Sequence, residues 1–262
     1  MVRSRSGFQE HVAGDPWANP RIHVAGTRAL YVGQGMRLTP HKLAVATVIF
    51  ALDAQFRLEL IESGQTSIAR FGLIPPDTLH HLKNNGRMAF LYLDALSDDY
   101  EGLDLAMLNH GNCDLEAFID EIGHDNQSDA ALLCDLLSNR IELPQKQVGD
   151  ARIVAAVRAI DEVPQDFTNI SQAAEIAKLS VSRFQHLFRE AVGTPFRRYR
   201  LWKRMAIVAR SLSNGENLTN AALDAGFSSS AHLSSSFRKM FGIMPSQLIE
   251  AKARFTGEVA TN

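Results

Sequence analysis

The residues best suited to chemistry in this 262-residue chain lie in two short segments of its second half. In the first, Phe184, Leu187, Phe188, Ala191 and Val192 recur at helical spacing. At about 100° per residue that stripe turns Ser182, His186 and Arg189 outward, with Arg183 and Gln185 available on the flank. In the second, Leu233, Phe237, Met240 and Phe241 face in. Ala231, His232, Ser235, Arg238 and Lys239 then face out, with Ser230 at the tip. Hydroxyls, imidazoles, an amide and guanidiniums on an exposed helical face are the groups that read base edges in a DNA major groove. Arg to guanine and Gln to adenine are the strong pairings. The base-reading candidates are therefore Ser182, Arg183, Gln185, His186 and Arg189, then Ser230, Ala231, His232 and Ser235. Direct readout falls mainly to the first group, because the second lacks bidentate side chains. There Ala231 suits a thymine methyl.

These residues need rigid elements beneath them, and the sequence supplies the same element twice. Residues 171–195, SQAAEIAKLSVSRFQHLFREAVGTP, and residues 220–245, NAALDAGFSSSAHLSSSFRKMFGIMP, are self-similar at an offset of 49. Each reads as a short Ala-rich helix, a turn, a second helix, a Gly stop and a Pro. Ser180, Ser182 and Ser228 to Ser230 offer N-cap hydroxyls, and Gly226 offers a positive φ. The first copy has Lys178 at the matching place, so its turn is expected to differ. Helix, tight turn, helix is the DNA-reading unit whose second helix enters the groove. Between the copies, Tyr199, Trp202, Met205, Ala209 and Leu212 mark one long helix over residues 195–213. At ~1.5 Å per residue it spans about 28 Å, close to the ~34 Å turn of B-DNA. Its Arg197, Arg198, Arg200, Lys203 and Arg204 are phosphate candidates, together with Ser180, Ser229, Arg238 and Lys239.

At these residues the chain resembles the AraC/XylS family of bacterial transcription regulators. The segment carrying Gly226-Phe227-x-Ser229, Phe237-Arg238, Gly242 and Pro245 resembles that family's signature, and LSVSRFQHLFREAVGTPFRRYRLW resembles it again. The resemblance covers about residues 150–252. It implies that the first half is a cupin-like domain that binds an effector and dimerises, and that RNA polymerase is a partner if the protein activates.

The first half reads independently as β-rich. Residues 44–52, 56–61, 67–74 and 88–93 are short apolar or alternating runs punctuated by Gly, Pro and Asn, as in a sandwich or small barrel. Pro76-x-Thr78-x-x-His81-x-x-x-Asn85 and Gly35-x5-His41 resemble degenerate cupin motifs. His41, His80 and His81 are thus effector-binding candidates. A metal is not expected, since the remaining ligands of such a site are missing; the rival reading, a cupin-type metal enzyme with a DNA-binding appendage, would need one. Leu115, Phe118, Ile119 and Ile122, then Leu133, Leu136 and Leu137, form two amphipathic helical stripes suited to dimerisation.

Composition supports this division. Formal net charge is −2, but residues 1–149 carry −7 and residues 150–262 carry +5, and residues 178–239 alone carry +8. Such asymmetry marks a nucleic-acid-binding half. Two Cys exclude a disulfide scaffold. The longest apolar run, residues 43–52, is half a membrane span, and the N-terminus lacks an apolar signal stretch. No nucleophile triad, phosphate loop or carboxylate pair is evident.

The sequence therefore predicts an α+β protein. A cupin-like β-barrel with two helices occupies residues 1–143, followed by a linker at 144–150. An all-α domain of two helix-turn-helix units joined by a long helix occupies 151–252, and a tail follows at 253–262. The expected activity is that of a cytoplasmic, non-enzymatic, homodimeric regulator without cofactor. Its partners would be double-stranded DNA and a small-molecule effector, with no membrane.

Overall fold

The computed structural model describes residues 19–94 and 150–257. The two amphipathic stripes, with Leu115, Phe118, Ile119, Ile122, Leu133, Leu136 and Leu137, lie outside the described residues, as does most of the expected linker.

The described residues of the first half form nine strands: β1 (Arg21–Ala25), β2 (Arg28–Gln34), β3 (His41–Lys42), β4 (Ala46–Ala51), β5 (Phe56–Leu60), β6 (Gln65–Ala69), β7 (Phe71–Ile74), β8 (Leu79–Lys83) and β9 (Arg87–Leu93). The helical half comprises α1 (Ala151–Glu162), α2 (Ile170–Ile176), α3 (Val181–Val192), α4 (Phe196–Ser213), α5 (Leu218–Asp224), α6 (Ser230–Phe241) and α7 (Pro245–Glu250), then strand β10 (Arg254–Gly257). The strands pair as two open sheets, β10-β1-β2-β9-β4-β7 and β3-β8-β5-β6. The cupin-like expectation holds as a two-sheet architecture, but the sheets do not close into a barrel.

Burial explains the composition of the strands. Ile49 and Ala51 of β4 pack between the sheets with Phe56, Leu58, Ile74, Leu82 and Met88. The other face of the six-stranded sheet is covered by the helices. Val24, Ala29 and Leu43 to Val45 join one continuous core with Ile153, Phe184, Tyr199, Trp202 and Leu233. Strands covered on both faces lose polar alternation, so β4 reads ATVIFA with every residue buried. Residues expected as a tail instead supply β10, which runs parallel to β1 from Arg21↔Arg254 to Val24↔Gly257. His23 Nδ1 and Thr256 Oγ1 are linked across that pairing at 3.0 Å.

Both helix-turn-helix units have the expected caps. Ser180 Oγ accepts from Arg183 N, and Ser229 Oγ accepts from His232 N. Gly193 and Gly242 end α3 and α6 in the left-handed region. The turns differ by one residue: Lys178 (φ 53°) lies two residues before its cap, Gly226 (φ 73°) three before. A left-handed conformation costs a side-chain-bearing residue about 1–2 kcal/mol, and glycine avoids that cost. Gly226→Ala is expected to destabilise the protein by about 1–2 kcal/mol, since its Cβ would also lie 3.1 Å from Gln165 Cβ. Lys178→Gly should be neutral or slightly stabilising. Urea unfolding of both variants beside the parent checks the pair.

Candidate nucleic-acid interface and interdomain cavity

The two reading helices present their expected faces. Ser182, Arg183, Gln185, His186 and Arg189 are exposed on α3, as are Ala231, His232 and Ser235 on α6, while Ser230 is half-buried. His232 is oriented by Ser228 Oγ at 3.1 Å and by the edge of Phe227. His186 lies 3.8 Å from Glu190. Ser180 and Ser229 cap their helices through an oxygen lone pair, which leaves each hydroxyl hydrogen available to a phosphate.

The connecting helix α4 is less available than its composition suggests. Lys203 and Arg204 are 4 % and 6 % exposed, so neither can reach a phosphate in this arrangement. Lys203 Nζ lies 2.8 Å from Asp94 Oδ2 and 2.6 Å from Asp161 Oδ1. Arg204 Nε donates to the Ala225 carbonyl at 2.7 Å, and its guanidinium stacks on Phe227 at 3.7 Å. Burial, reinforced by Arg200, lowers the Arg204 pKa to about 10. Arg200, half-buried, donates to the Phe167 carbonyl. The physical reason is that α4 is the centre of the helical domain rather than an exposed strut, so these cations turn inward to hold both reading units. Arg197, Arg238 and Lys239 stay exposed.

Two contacts that sequence reasoning missed join the halves. Asp94, fully buried, accepts from Tyr199 Oη at 2.8 Å and Trp202 Nε1 at 3.1 Å, besides pairing with Lys203. Asp77, on the turn before β8, pairs with Arg189 at 3.3 Å and with Arg198. A candidate base reader and a candidate phosphate contact thus share a carboxylate of the first half. The only sequence signals were an acid terminating the apolar run MAFLYLD and an acid beside two prolines. Neither predicts a partner more than 100 residues away.

Between the sheet and α4 lies a largely apolar cavity of about 130 Å³. Leu30, Met36, Leu38, Tyr92, Trp202 and Phe241 line it, with His41 and His80 among its polar groups. His41 and His80 are register partners on β3 and β8, with ring centroids 4.3 Å apart. Both are buried. His81, expected with them, falls on the opposite face because strand side chains alternate, and it lies 3.7 Å from Glu59. Among the described residues, no group of three or more His, Cys, Asp or Glu is arranged to hold a metal. None of the described helices is long and apolar enough to cross a membrane.

Comparison with known proteins agrees with this division. Residues 173–251 match the family described as "Helix-turn-helix domain". The chain is 31 % identical over 99 residues to an HTH-type transcriptional regulator of Haemophilus influenzae, covering 37 % of this chain and 33 % of that protein. It is 25 % identical over 130 residues to the probable transcriptional regulator LumQ of Photobacterium leiognathi, covering 46 % and 52 %. The chain therefore spans a third to about half the length of these relatives. Across both halves its fold is that of ToxT from Vibrio cholerae O395, with TM-score 0.57 and 9 % identity over 86 % of this chain and 98 % of that one. Unsaturated fatty acid-bound ToxT of strain SCE256 superposes with TM-score 0.52 and 12 % identity over 84 % and 93 %.

Burial depresses both imidazoles, and the neighbouring ring helps bring His80 to about 4. The unfolded chain takes a proton near 6.5, while the folded chain resists it until about 4. Stability should therefore be full above pH 6.5 and fall by up to about 3 kcal/mol as pH drops towards 4. His80→Leu should flatten that decline in urea titrations run at each pH.

Proposed function

From a helical half of the AraC/XylS type, we propose that the protein is a sequence-specific DNA-binding transcription regulator. The observation that carries this reading is the pair of capped, solvent-facing helices α3 and α6 held by one rigid helix. Base edges are read by Arg183, Gln185 and Arg189, with His186 and Ser182 beside them. Ser230, Ala231, His232 and Ser235 give the second, weaker readout. Arg197, Arg238, Lys239, Ser180 and Ser229 hold phosphates, so binding releases counterions. The chain acts as a non-enzymatic switch in the compartment of its DNA, as a homodimer, and with RNA polymerase if it activates.

The first half supplies the signal. A cavity whose walls come from both the sheet and the DNA-reading half changes shape when the halves move apart. A small molecule that fills it favours the joined arrangement by its differential affinity for that arrangement. A fold shared with ToxT, which has been solved with an unsaturated fatty acid bound, supports effector control through this cavity.

DNA affinity of the full chain, measured by anisotropy on a site selected from a random pool, should fall steeply with salt. Gln185→Ala and Arg183→Ala should each cost about 1–3 kcal/mol on that site and relax base preference. Affinity independent of salt would overturn the phosphate assignment.

The Asp77 pairings add a second expectation. A carboxylate holding Arg189 and Arg198 competes with DNA for the same cations. Asp77→Asn should therefore strengthen DNA binding several-fold, and Arg198→Gln should abolish part of that gain. Unchanged affinity in Asp77→Asn would show that these arginines do not meet DNA.

A further inference from the structure

The interdomain cavity has one polar end whose chemistry narrows what can fill it. His41 Nδ1 lies 2.8 Å from the Thr39 carbonyl, and His80 Nδ1 lies 2.9 Å from the Thr78 carbonyl. A carbonyl oxygen only accepts, so in both rings the hydrogen is on Nδ1. Each Nε2 is then a bare lone pair. No hydrogen bond from another described residue reaches either Nε2, and both side chains line the cavity. Two neighbouring acceptors, both lining the cavity, make a site that lacks a donor. A lone pair that faces the cavity can accept a hydrogen bond, and a ligand that supplies the hydrogen gains that bond on binding.

Size and the remaining walls set the rest of the ligand. The cavity, about 130 Å³, is comparable to the roughly 150 Å³ engineered cavity that holds benzene. Met36, Leu38, Leu43, Ile74 and Phe90 offer apolar surface around the imidazoles. Of the three lining cations, Lys203 is committed to Asp94 and Asp161, Arg28 is itself engaged within the protein, and Arg210 belongs to the exposed last turn of α4.

We propose that His41 and His80 form the recognition end of an effector site for a small phenol-class molecule: one aromatic ring bearing a hydroxyl donor. This rests on reading the cavity as the effector site. The hydroxyl donates to Nε2 of one imidazole while the ring fills the apolar wall. A carboxylate would bring lone pairs to lone pairs and is disfavoured. The site is also wired to the reading half. Thr39, which holds His41 through its carbonyl, donates from its own N and Oγ1 to the Gly242 carbonyl, each at 3.0 Å. Gly242 is the left-handed stop of α6, and a Cβ there would lie 2.6 Å from Thr39 O. A movement of the His41 ring therefore bears directly on the end of the second reading helix.

The test is calorimetry of the full chain, without DNA, using phenol, toluene and benzoate as probes. Phenol should bind several-fold more tightly than toluene, and benzoate most weakly. The double variant His41→Leu with His80→Leu should reverse the phenol–toluene order, because it removes both acceptors and leaves an apolar wall. If that variant fails to fold, the ¹⁵N resonances of the histidine rings in the parent protein serve instead. A Nε2 signal should shift on adding phenol and stay put on adding toluene. Toluene binding tighter than phenol, an unchanged order in the folded double variant, or unmoved Nε2 signals would overturn the proposal. Benzoate binding most tightly would overturn it in favour of anion selection at Arg210. A chain that passes these tests but does not bind DNA would refute the regulator reading alone.

Discussion

The buried carboxylate of Asp94 is the interaction on which the arrangement of the two halves depends. A charge without solvent access is tolerable only when its partners are close and well aimed. All the donors described for it come from α4: a phenol, an indole N–H and an ammonium. With α4 removed, Asp94 would lose the phenol, the indole N–H and the ammonium together. The docked arrangement is therefore cooperative, because the carboxylate loses its described donors together. The helical cover over the six-stranded sheet, the cavity beneath it and the approach of Thr39 to Gly242 all depend on that docking.

The same constraint changes the meaning of the basic sequence. A net +8 across residues 178–239 suggests a broad cationic face. Much of it is consumed internally. Lys203 neutralises acids, Arg200 and Arg204 hold carbonyls of the two reading units, and Arg189 and Arg198 meet Asp77. Under the proposed reading, the cations left without a described carboxylate partner are more discrete: Arg183 and Arg197 around the first unit, Arg238 and Lys239 at the second, with Arg189 joining them once Asp77 releases it. Selectivity for a site gains from this economy, since diffuse positive charge binds all sequences alike.

Much of this was legible in the sequence, and the exceptions have a common cause. Helix periodicity and capping chemistry are local, so α3, α4 and α6 could be read, as could the awkward Lys178 turn. Residues 56–61 and 88–93 gave β5 and β9 nearly whole. The run at 67–74 did not show that Arg70 separates two strands belonging to different sheets. The degenerate motifs pointed to His41 and His81, whereas the structure pairs His41 with the neighbouring His80 and turns His81 towards Glu59. Asp94, Asp77 and β10 left almost no trace, because their partners are more than 100 residues away. Burial of the α4 cations was equally hidden, since a solvated and an inward-turned Lys look the same in a helical wheel.

Strand β10 has a consequence beyond adhesion. As the four-residue edge strand of the six-stranded sheet it covers β1, whose bare edge would be a row of unsatisfied N–H and C=O groups that recruits any extended chain nearby. If the halves separate far enough to peel β10 away, β1 becomes such a template. The strand best matched to it is the β10 of another copy, since its register and the His23–Thr256 link are already complementary. Residues 254–257 of the helical half thus shield β1 from strand addition, and separation carries a colloidal risk that grows with concentration.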